Sequence, residues 1–285
     1  MSKIIKRLIV FFIGLPILLA VVIFFPQRNH LLLNLVIIAF SILGALEFRN
    51  ILACKNLKIS VLETIVLGAI SPVTWTVVVS FEITGHIVPG AYILGAIWLL
   101  TARVFSGPEK LDSYIGRTTA GFSVMIYPGL FLAWVIQMTI FREASWVIFI
   151  FCLMVLLNDS FAWASGMLFG KNNRGLIASS PNKSIAGFIG GMAGSIAIGI
   201  TASKLLPGVF ISNVMPAAPA AAILGFFTGI AAILGDLGES ALKRSAGVKD
   251  SGTLILGRGG ALDSIDSLAL AAPVFYVIFR VLFWA

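Results

Sequence analysis

The chain has 285 residues, of which 59% are hydrophobic and 11% are charged, and its formal net charge is +8. A soluble domain usually has about 25% charged residues, so the composition argues against a water-soluble fold of this size. We therefore expect an all-α integral membrane protein, because helices satisfy their own backbone hydrogen bonds within lipid. The basic residues are scattered through short loops, which favours a role in membrane topology over nucleic-acid binding.

Nine apolar segments follow one another along the chain, and most reach the roughly 20 residues that are needed to cross the hydrocarbon core. They cover residues 8–25, 31–48, 61–80, 86–102, 118–140, 146–168, 185–206, 217–239 and 265–284. We divide the chain into an N-terminal membrane region of about five spans, residues 1–145, and a C-terminal catalytic region, residues 146–285. The second region contains two predicted cytoplasmic loops, 169–184 and 240–264.

The basic residues predict the orientation of these spans. With nine spans and a cytoplasmic N-terminus, the 20 lysines and arginines all lie on the cytoplasmic side except Arg28, Arg142, Lys204 and Arg280. Short cytoplasmic loops carry an excess of Lys and Arg, so this asymmetry supports both the count and the orientation. The predicted topology places loop 240–264 in the cytoplasm, where nucleoside triphosphates are found.

Small residues at helical spacing predict close helix contacts. The pairs are Gly187 with Gly191, Gly190 with Gly194, and Gly225 with Gly229. This small-xxx-small spacing lets two membrane helices approach closely. We interpret these glycines as packing residues without a role in chemistry.

Polar residues appear at the end of the sixth apolar segment and in the loop that follows. Asp159 lies where a carboxylate should face protein or water, although snorkelling or a helix–helix hydrogen bond is the alternative. The following loop contains Lys171 and the run Ser179 to Ser184, with Ser180 and Lys183 just before the next span. These donors would suit a phosphate at a helix N-terminus. A helix N-cap with a topogenic lysine explains the loop equally well.

The densest polar stretch lies between the last two apolar segments. It combines Lys243, Arg244, Lys249 and Arg258 with Asp250, Asp263 and Asp266, and with Gly257, Gly259 and Gly260. Cations can hold phosphate, carboxylates can hold a metal, and glycines let the backbone approach a ligand. The alternative is that Asp263 only caps the last helix, with Asp266 in its first turn. The density as a whole favours a nucleotide-phosphate site at a membrane face.

Two motifs resemble the phosphatidate cytidylyltransferases, which are also called CDP-diacylglycerol synthases. The longer one reads Ser240-x-x-Lys243-Arg244-x4-Lys249-Asp250, then Gly257-x-Gly259-Gly260-x-x-Asp263-x-x-Asp266. The upstream one reads Asp159-x-x-Ala162-x3-Gly166-x-x-Phe169-Gly170-Lys171, then Ser180-Pro181-x-Lys183-Ser184. The chain departs from the usual pattern of the family at Arg258, where a histidine is usual, and at Ser264, where an arginine is usual.

The resemblance implies a Mg²⁺-dependent transfer of a cytidylyl group from CTP to phosphatidic acid, with a second, monovalent cation as an open extension. It also implies a multi-span protein of the bacterial inner membrane, which we expect to be a homodimer. By matched position, Asp250 and Asp263 would hold the metal, and Lys243, Arg244 and Lys249 would hold phosphates. The further substrate-binding candidates are Asp159, Lys171, Ser180, Lys183, Ser240, Arg258, Gly259, Gly260 and Asp266.

Other interpretations of the sequence remain open. A divergent or inactive relative acting on another lipid phosphate, and a non-catalytic membrane scaffold, would carry the same apolar spans. A transporter would place polar residues near the bilayer midplane and would use paired broken helices. In this chain the charges gather at one predicted face, which counts against a transporter.

Overall fold

The computed structural model describes residues 13–255 and 259–284. Within these residues there is no β-strand, and only the isolated bridges Arg174–Ser184 and Ile255–Gly259 pair extended backbone. The helices in chain order are α1 (Leu15–Phe24), α2 (Gln27–Ala53), α3 (Val61–Phe81), α4 (Ile87–Thr101), α5 (Pro108–Leu111), α6 (Tyr114–Val124), α7 (Leu132–Gln137), α8 (Ala144–Phe169), α9 (Ile185–Leu205), α10 (Ala217–Ser245) and α11 (Leu262–Phe283).

Seven helical stretches in the described residues are long and apolar enough to cross a membrane. They are Gln27–Ala53, Val61–Phe81, Tyr114–Ile140, Ala144–Phe169, Ile185–Leu205, Ala217–Ser245 and Leu262–Phe283. The predicted all-α membrane architecture is therefore confirmed. Helix α4 has 15 residues, about 22 Å of rise, which is shorter than the roughly 30 Å hydrocarbon core. The first predicted span begins in residues 1–12, which lie outside the described part, so the count of nine stays a prediction.

Two of the spans begin at side-chain caps that the sequence carries. At α3, Ser60 Oγ accepts a hydrogen bond from Glu63 N at 3.2 Å, and Ser60 N donates to Glu63 Oε2 at 3.3 Å. This reciprocal pair satisfies two N–H groups that a helix start leaves without partners. At α9, Ser184 Oγ accepts from Gly187 N at 3.0 Å. The N-cap interpretation of the loop before α9 is thus confirmed.

Helices α6 and α7 belong to one composite span that is interrupted by a π-helical turn over Met125–Phe131. Pro128 lies in this turn, and proline has no N–H with which to continue the regular helical bonds. Ser41 Oγ lies 2.7 Å from both the Pro128 and the Gly68 carbonyl oxygens. The Pro128 carbonyl at the irregular turn and the Gly68 carbonyl on α3 therefore share one hydroxyl donor from α2.

The chain divides into two compact units. The first unit comprises Met1–Gln137 and Leu242–Ile265, and the second comprises Met138–Ala241 and Asp266–Ala285. The division into an N-terminal membrane region, residues 1–145, and a C-terminal catalytic region, residues 146–285, stays a prediction.

A buried ion pair joins α3 and α6 within the first unit. Arg117 has a side-chain exposure of 1%, although the predicted topology assigned it to a cytoplasmic loop, and it pairs with Glu63, which is 18% exposed. Arg117 Nη1 also donates to the Leu99 carbonyl oxygen at 3.3 Å. The arginine thus connects α3, α6 and the last turn of α4. The sequence pattern did not show this, because a single arginine beside an apolar segment also suits a loop.

Glycines let α8 and α9 approach closely within the second unit. A Cβ on Gly191 would lie 2.8 Å from Asn158 Oδ1 and 2.9 Å from the Asn158 carbonyl oxygen. A Cβ on Gly187 would lie 2.9 Å from the Ala162 carbonyl oxygen. A Cβ on Gly225 of α10 would similarly overlap the α9 backbone at Ile196, at 2.8 Å. The small-xxx-small prediction is therefore confirmed as helix packing.

Replacing Gly191 with alanine should destabilise the second unit by about 1–3 kcal/mol, because the new methyl group meets backbone and a buried amide. The matched control is Gly238→Ala on α10, where a Cβ would meet nothing within 4 Å. Helix propensity favours alanine there by about 0.8–1.0 kcal/mol. Unfolding of both variants in mixed micelles measures the difference. An equal effect of the two substitutions would contradict the packing argument.

Candidate active site

The carboxylate of Asp263 lies at the centre of a polar cluster in the first unit. Asp263 stands in the first turn of α11 and forms an ion pair through Oδ1 with Lys243 of α10. Its other oxygen, Oδ2, accepts from Gly260 N at 2.7 Å and from Ser251 N at 3.0 Å. The Lys243 and Asp263 side chains are only 11% and 8% exposed. A cation and main-chain donors therefore stabilise a nearly buried negative charge.

Glu47 of α2 is a second carboxylate in this cluster, and the sequence analysis missed it. Glu47 Oε1 accepts from Ala261 N at 2.9 Å, and Oε2 accepts from Leu262 N at 2.9 Å. These N–H groups open α11, where a helix leaves donors without intrahelical partners. The one available signal was that Glu47 is the single acidic residue of α2 and falls within a predicted apolar segment, where a carboxylate is costly in lipid.

Ser251 lies between the two carboxylates. Its Oγ is 2.8 Å from Glu47 Oε2 and 3.0 Å from Asp263 Oδ2. A serine hydroxyl carries one proton, so it donates to one carboxylate at a time. Asp263 N also donates to Ser251 Oγ at 3.3 Å. Glu47, Ser251 and Asp263 thus form one continuous hydrogen-bonded chain.

Three glycines provide the room for this arrangement. A Cβ on Gly252 would overlap the Glu47 carboxylate, and a Cβ on Gly260 would overlap both Glu47 Oε2 and Ser251 Oγ. Gly259 has φ +110°, a backbone conformation that L side chains rarely adopt. A Cβ on Gly259 would overlap Asp263 Oδ2 and would lie 3.6 Å from Asp250 Cβ. Asp250 and Asp263 therefore border the same glycine.

The other predicted residues of this stretch differ in their placement. Arg244, Lys249 and Asp250 are exposed, and Arg244 Nη1 donates to the Val248 carbonyl oxygen at 3.4 Å. Gly260 uses its N–H for Asp263, so that donor is already engaged in this structure. Ser240 and Asp266 belong to the second unit. Arg258 lies outside the described residues.

Asp263 and Asp250 fit a hard divalent cation as oxygen ligands. No group of three His, Cys, Asp or Glu side chains suited to a metal occurs in residues 13–255 and 259–284. Mg²⁺ is usually held by one or two carboxylates together with substrate phosphates and water, so two carboxylates suffice. A carboxylate offers about four lone-pair sites, and the Asp263 oxygen that faces Lys243 retains acceptor capacity. Asp250 is exposed and open to a ligand.

The second unit contains a pocket of about 460 Å³ with both polar and apolar walls. Its polar lining consists of Asn158, Asp159, Arg174, Asn182, Lys183, Ser184 and Asp236. Lys183 forms an ion pair with Asp236, and each side chain is 28% exposed. Trp163, Met167 and Phe188 supply apolar surface. The structure thus brings the predicted Asp159 and Lys183 to one pocket, together with Asp236, and adds Arg174 and Asn182, which were not candidate site residues.

Two further predicted residues are outside this pocket lining. Lys171 is exposed on the loop between α8 and α9, and Ser180 donates its N–H to the Ile177 carbonyl oxygen in a turn. Asn158, in contrast, is fully buried and lines the pocket. Its Nδ2 donates to Ser195 Oγ at 3.0 Å, whereas its Oδ1 has no hydrogen-bond partner among the described residues. Asn158 Oδ1 lies against Gly191 of α9, where a Cβ would approach it to 2.8 Å, so this oxygen belongs to the helix contact behind the pocket.

Comparison with known proteins adds independent information. Residues 5–282 match the model of the Cytidylyltransferase family. A phosphatidate cytidylyltransferase of Thermotoga maritima is 36% identical over 199 residues, which are 66% of this chain and 69% of that protein. The corresponding protein of Aquifex aeolicus is 33% identical over 170 residues, or 59% of this chain and 58% of that protein.

A plant relative matches a smaller part. Phosphatidate cytidylyltransferase 5, chloroplastic, of Arabidopsis thaliana is 37% identical over 145 residues, which are 48% of this chain and 34% of that protein. The chain therefore spans about a third of the plant protein and a little over two thirds of the Thermotoga protein.

Proposed function

Because the chain belongs to the cytidylyltransferase family, we propose that it transfers a cytidylyl group from CTP to phosphatidic acid. The products are CDP-diacylglycerol, which is an intermediate of phospholipid synthesis, and pyrophosphate, which is the leaving group. One observation carries the proposal: Lys243 and Asp263, both in the family-like motif, form a nearly buried ion pair where an apolar helix begins. Asp250, from the same motif, borders the same glycine as Asp263.

The reaction joins two anions, and electrostatics therefore dominates its barrier. An oxygen of the lipid phosphate attacks the α-phosphorus of CTP and forms a P–O bond. The bond between the α-phosphorus and the bridging oxygen breaks, and pyrophosphate leaves with the electron pair. The attacking phosphate is already an anionic nucleophile, so no histidine or serine base is needed, and positioning with charge stabilisation supplies the catalysis.

The residues of the first unit divide this work. Lys243 offers a positive charge at a fixed position. Its ammonium group pairs with Asp263, and Ser251 N in turn donates a hydrogen bond that holds the Asp263 carboxylate. Exposed Arg244 and Lys249 attract the triphosphate and stabilise charge that develops on pyrophosphate. Asp250 and Asp263 would hold Mg²⁺, which neutralises charge on the phosphates when bound. A second, monovalent cation at the same carboxylates is part of the proposal.

We assign phosphatidic acid to the pocket of the second unit. Its apolar walls suit the glycerol and upper acyl chains, and Arg174 and Lys183 suit a phosphate. Asp159 and Asn158 would orient the lipid headgroup from the same pocket. The remaining proposed contacts to the substrates are Lys171, Ser180, Ser240, Arg258, Gly259, Gly260 and Asp266.

The membrane arrangement completes the proposal. We propose nine spans with a cytoplasmic N-terminus, which puts the Lys243–Asp263 cluster on the cytoplasmic face, where CTP is available. The bacterial relatives make the inner membrane the natural location. We further propose a homodimer.

The purified full-length chain, reconstituted with phosphatidic acid, should release pyrophosphate from CTP and form CDP-diacylglycerol that mass spectrometry detects. Diacylglycerol, which lacks the phosphate nucleophile, serves as the matched control and should give no product. Release of pyrophosphate without a lipid product would point to hydrolysis. No turnover with any lipid phosphate would defeat the proposed function.

Removing divalent cations with EDTA should lower pyrophosphate release to the background rate, because two anionic substrates would then meet without charge neutralisation. Added Mg²⁺ should restore the rate. An equal ionic strength of monovalent salt, as the control, should not restore it. Full turnover in EDTA would remove the metal from the proposal while leaving the cytidylyl transfer in place.

A further inference from the structure

Glu47 is an acidic side chain for which the proposed reaction has no chemical role. It is the only acidic residue of α2, yet its two oxygens accept three hydrogen bonds, from Ala261 N, Leu262 N and Ser251 Oγ, at 2.8 to 2.9 Å. All three donors lie in the segment that carries Asp263. A carboxylate that accepts this many hydrogen bonds is held in a specific orientation and is not an accidental surface contact.

The surrounding backbone is shaped to that carboxylate. Gly252 approaches one oxygen and Gly260 the other so closely that a Cβ at either position would overlap Glu47. The carboxylate also faces the first N–H groups of α11, where the helix dipole favours negative charge. Charge, hydrogen bonding and shape therefore all specify an anion at this position.

The effect of this anion reaches Asp263 by two routes. The first is Ser251, whose Oγ contacts both carboxylates and whose N–H donates to Asp263 Oδ2 at 3.0 Å. The second is the main chain from Gly260 to Leu262, which Glu47 holds while Gly260 N donates to Asp263. Loss of Glu47 would release Ser251 Oγ, which also contacts Asp263, and two N–H groups of the backbone that follows Gly260.

We propose that Glu47 is a positioning residue for the cytidylyl transfer, acting through Ser251 and the Gly260–Leu262 backbone to orient Asp263. It touches neither substrate. This inference rests on the proposed function, because Asp263 must act in that reaction for its orientation to matter. A displacement of about 1 Å at a reacting group can cost on the order of 10²-fold in rate, so an indirect effect of this size is physically reasonable.

The test compares Glu47→Gln, Ser251→Ala and the double variant in the full-length chain. Glutamine keeps the shape of Glu47 but directs an NH₂ group at an N–H donor on one side, so part of this hydrogen bonding is lost. We expect a kcat about 10²-fold below wild type, with KM for CTP changed less than about threefold, since substrate contacts remain. Exposed Glu109→Gln is the matched control and should behave as wild type.

Two readouts separate positioning from loss of fold. CTP binding, titrated at equilibrium, should keep the wild-type stoichiometry and affinity in Glu47→Gln. The double variant should be little slower than the slower single variant, because residues that act through one network are not additive. A purely structural role would instead lower the number of CTP-binding sites in proportion to the lost activity.

The outcomes distinguish this inference from the proposed function. Active wild type with an equally active Glu47→Gln variant, or additive effects of the two single substitutions, would overturn the inference alone. A loss of turnover that matches a loss of CTP-binding sites would also overturn it. Wild type without any cytidylyl transfer would defeat the proposed function and this inference with it.

Discussion

Asp263→Asn should lower kcat by on the order of 10²- to 10³-fold, the range seen when one electrostatic contact to developing charge is removed. The amide is nearly the same size as the carboxylate, so the cavity around it is kept. However, Asp263 is surrounded by donors on both oxygens, namely Lys243 on one side and Gly260 N and Ser251 N on the other. Whichever way the amide turns, its NH₂ group faces a donor.

The measurement is steady-state pyrophosphate release with CTP, Mg²⁺ and phosphatidic acid. Asp112→Asn is the matched control, because Asp112 is exposed in the same unit, and it should keep wild-type kcat. Unfolding in mixed micelles identifies any loss of fold. A folded Asp263→Asn variant that keeps more than a tenth of the wild-type turnover would contradict a catalytic role for this carboxylate.

Arg117→Met should destabilise the protein by about 3–5 kcal/mol, because removing one partner of a buried pair leaves the other charge uncompensated. Among the residues that the structure describes, Glu63 would then retain Ser60 as its one side-chain hydrogen-bond partner near the start of α3. The Leu99 carbonyl oxygen would lose its bond from Arg117 as well. We therefore expect α4 to lose its connection to α3 and α6 before the rest of the unit unfolds.

A second substitution tests the cause. Adding Glu63→Gln to Arg117→Met removes the buried charge, and glutamine can still serve in the capping box with Ser60. The double variant should recover most of the lost free energy of unfolding. Exposed Arg142→Met is the control and should change stability little. If Arg117→Met lowered the free energy of unfolding by less than about 1 kcal/mol, the Arg117–Glu63 pair would not be a buried ion pair of the folded protein.

Hydrophobicity predicted most of the architecture, because a span in lipid must be both long and apolar. The seven long helices all overlap predicted segments. Helix α4 shows the limit of this signal. Its composition is that of a span, but only 15 residues are helical, and hydropathy does not encode where a helix stops. Hydropathy averaged along the segment likewise did not predict the irregular turn at Pro128.

The candidate site was predictable where its residues are close in sequence. Motif spacing put Lys243 and Asp263 into one predicted site, and the structure brings them into contact. Glu47 was missed because it is more than 200 positions away from its partners, and no local pattern links such distant residues. The capping interpretation of Asp263 was wrong in detail. Glu47 accepts from the first N–H groups of α11, whereas Asp263 accepts from Gly260 and Ser251, which precede it.

The sequence analysis interpreted the packing glycines of α9 and α10 correctly, but it misjudged Gly260 in the loop before α11. Gly260 was expected to let backbone approach a substrate. In the structure its N–H bonds Asp263 and its α-carbon leaves room for Glu47. The same absence of a side chain therefore serves an internal carboxylate. Its role as a substrate contact stays a prediction.

The separation between Glu47 and its partners also bears on how the protein is made. Glu47 and Ala261 are 214 residues apart, and a ribosome adds about 5–20 residues per second. The carboxylate therefore emerges roughly 10 to 40 s before the amide groups that receive it. During this interval a nascent chain must keep Glu47 beside water or beside the insertion machinery. The cluster thus closes only after Leu262 has been synthesised, and until then the Glu47 carboxylate lacks the two backbone donors that hold it in the folded protein.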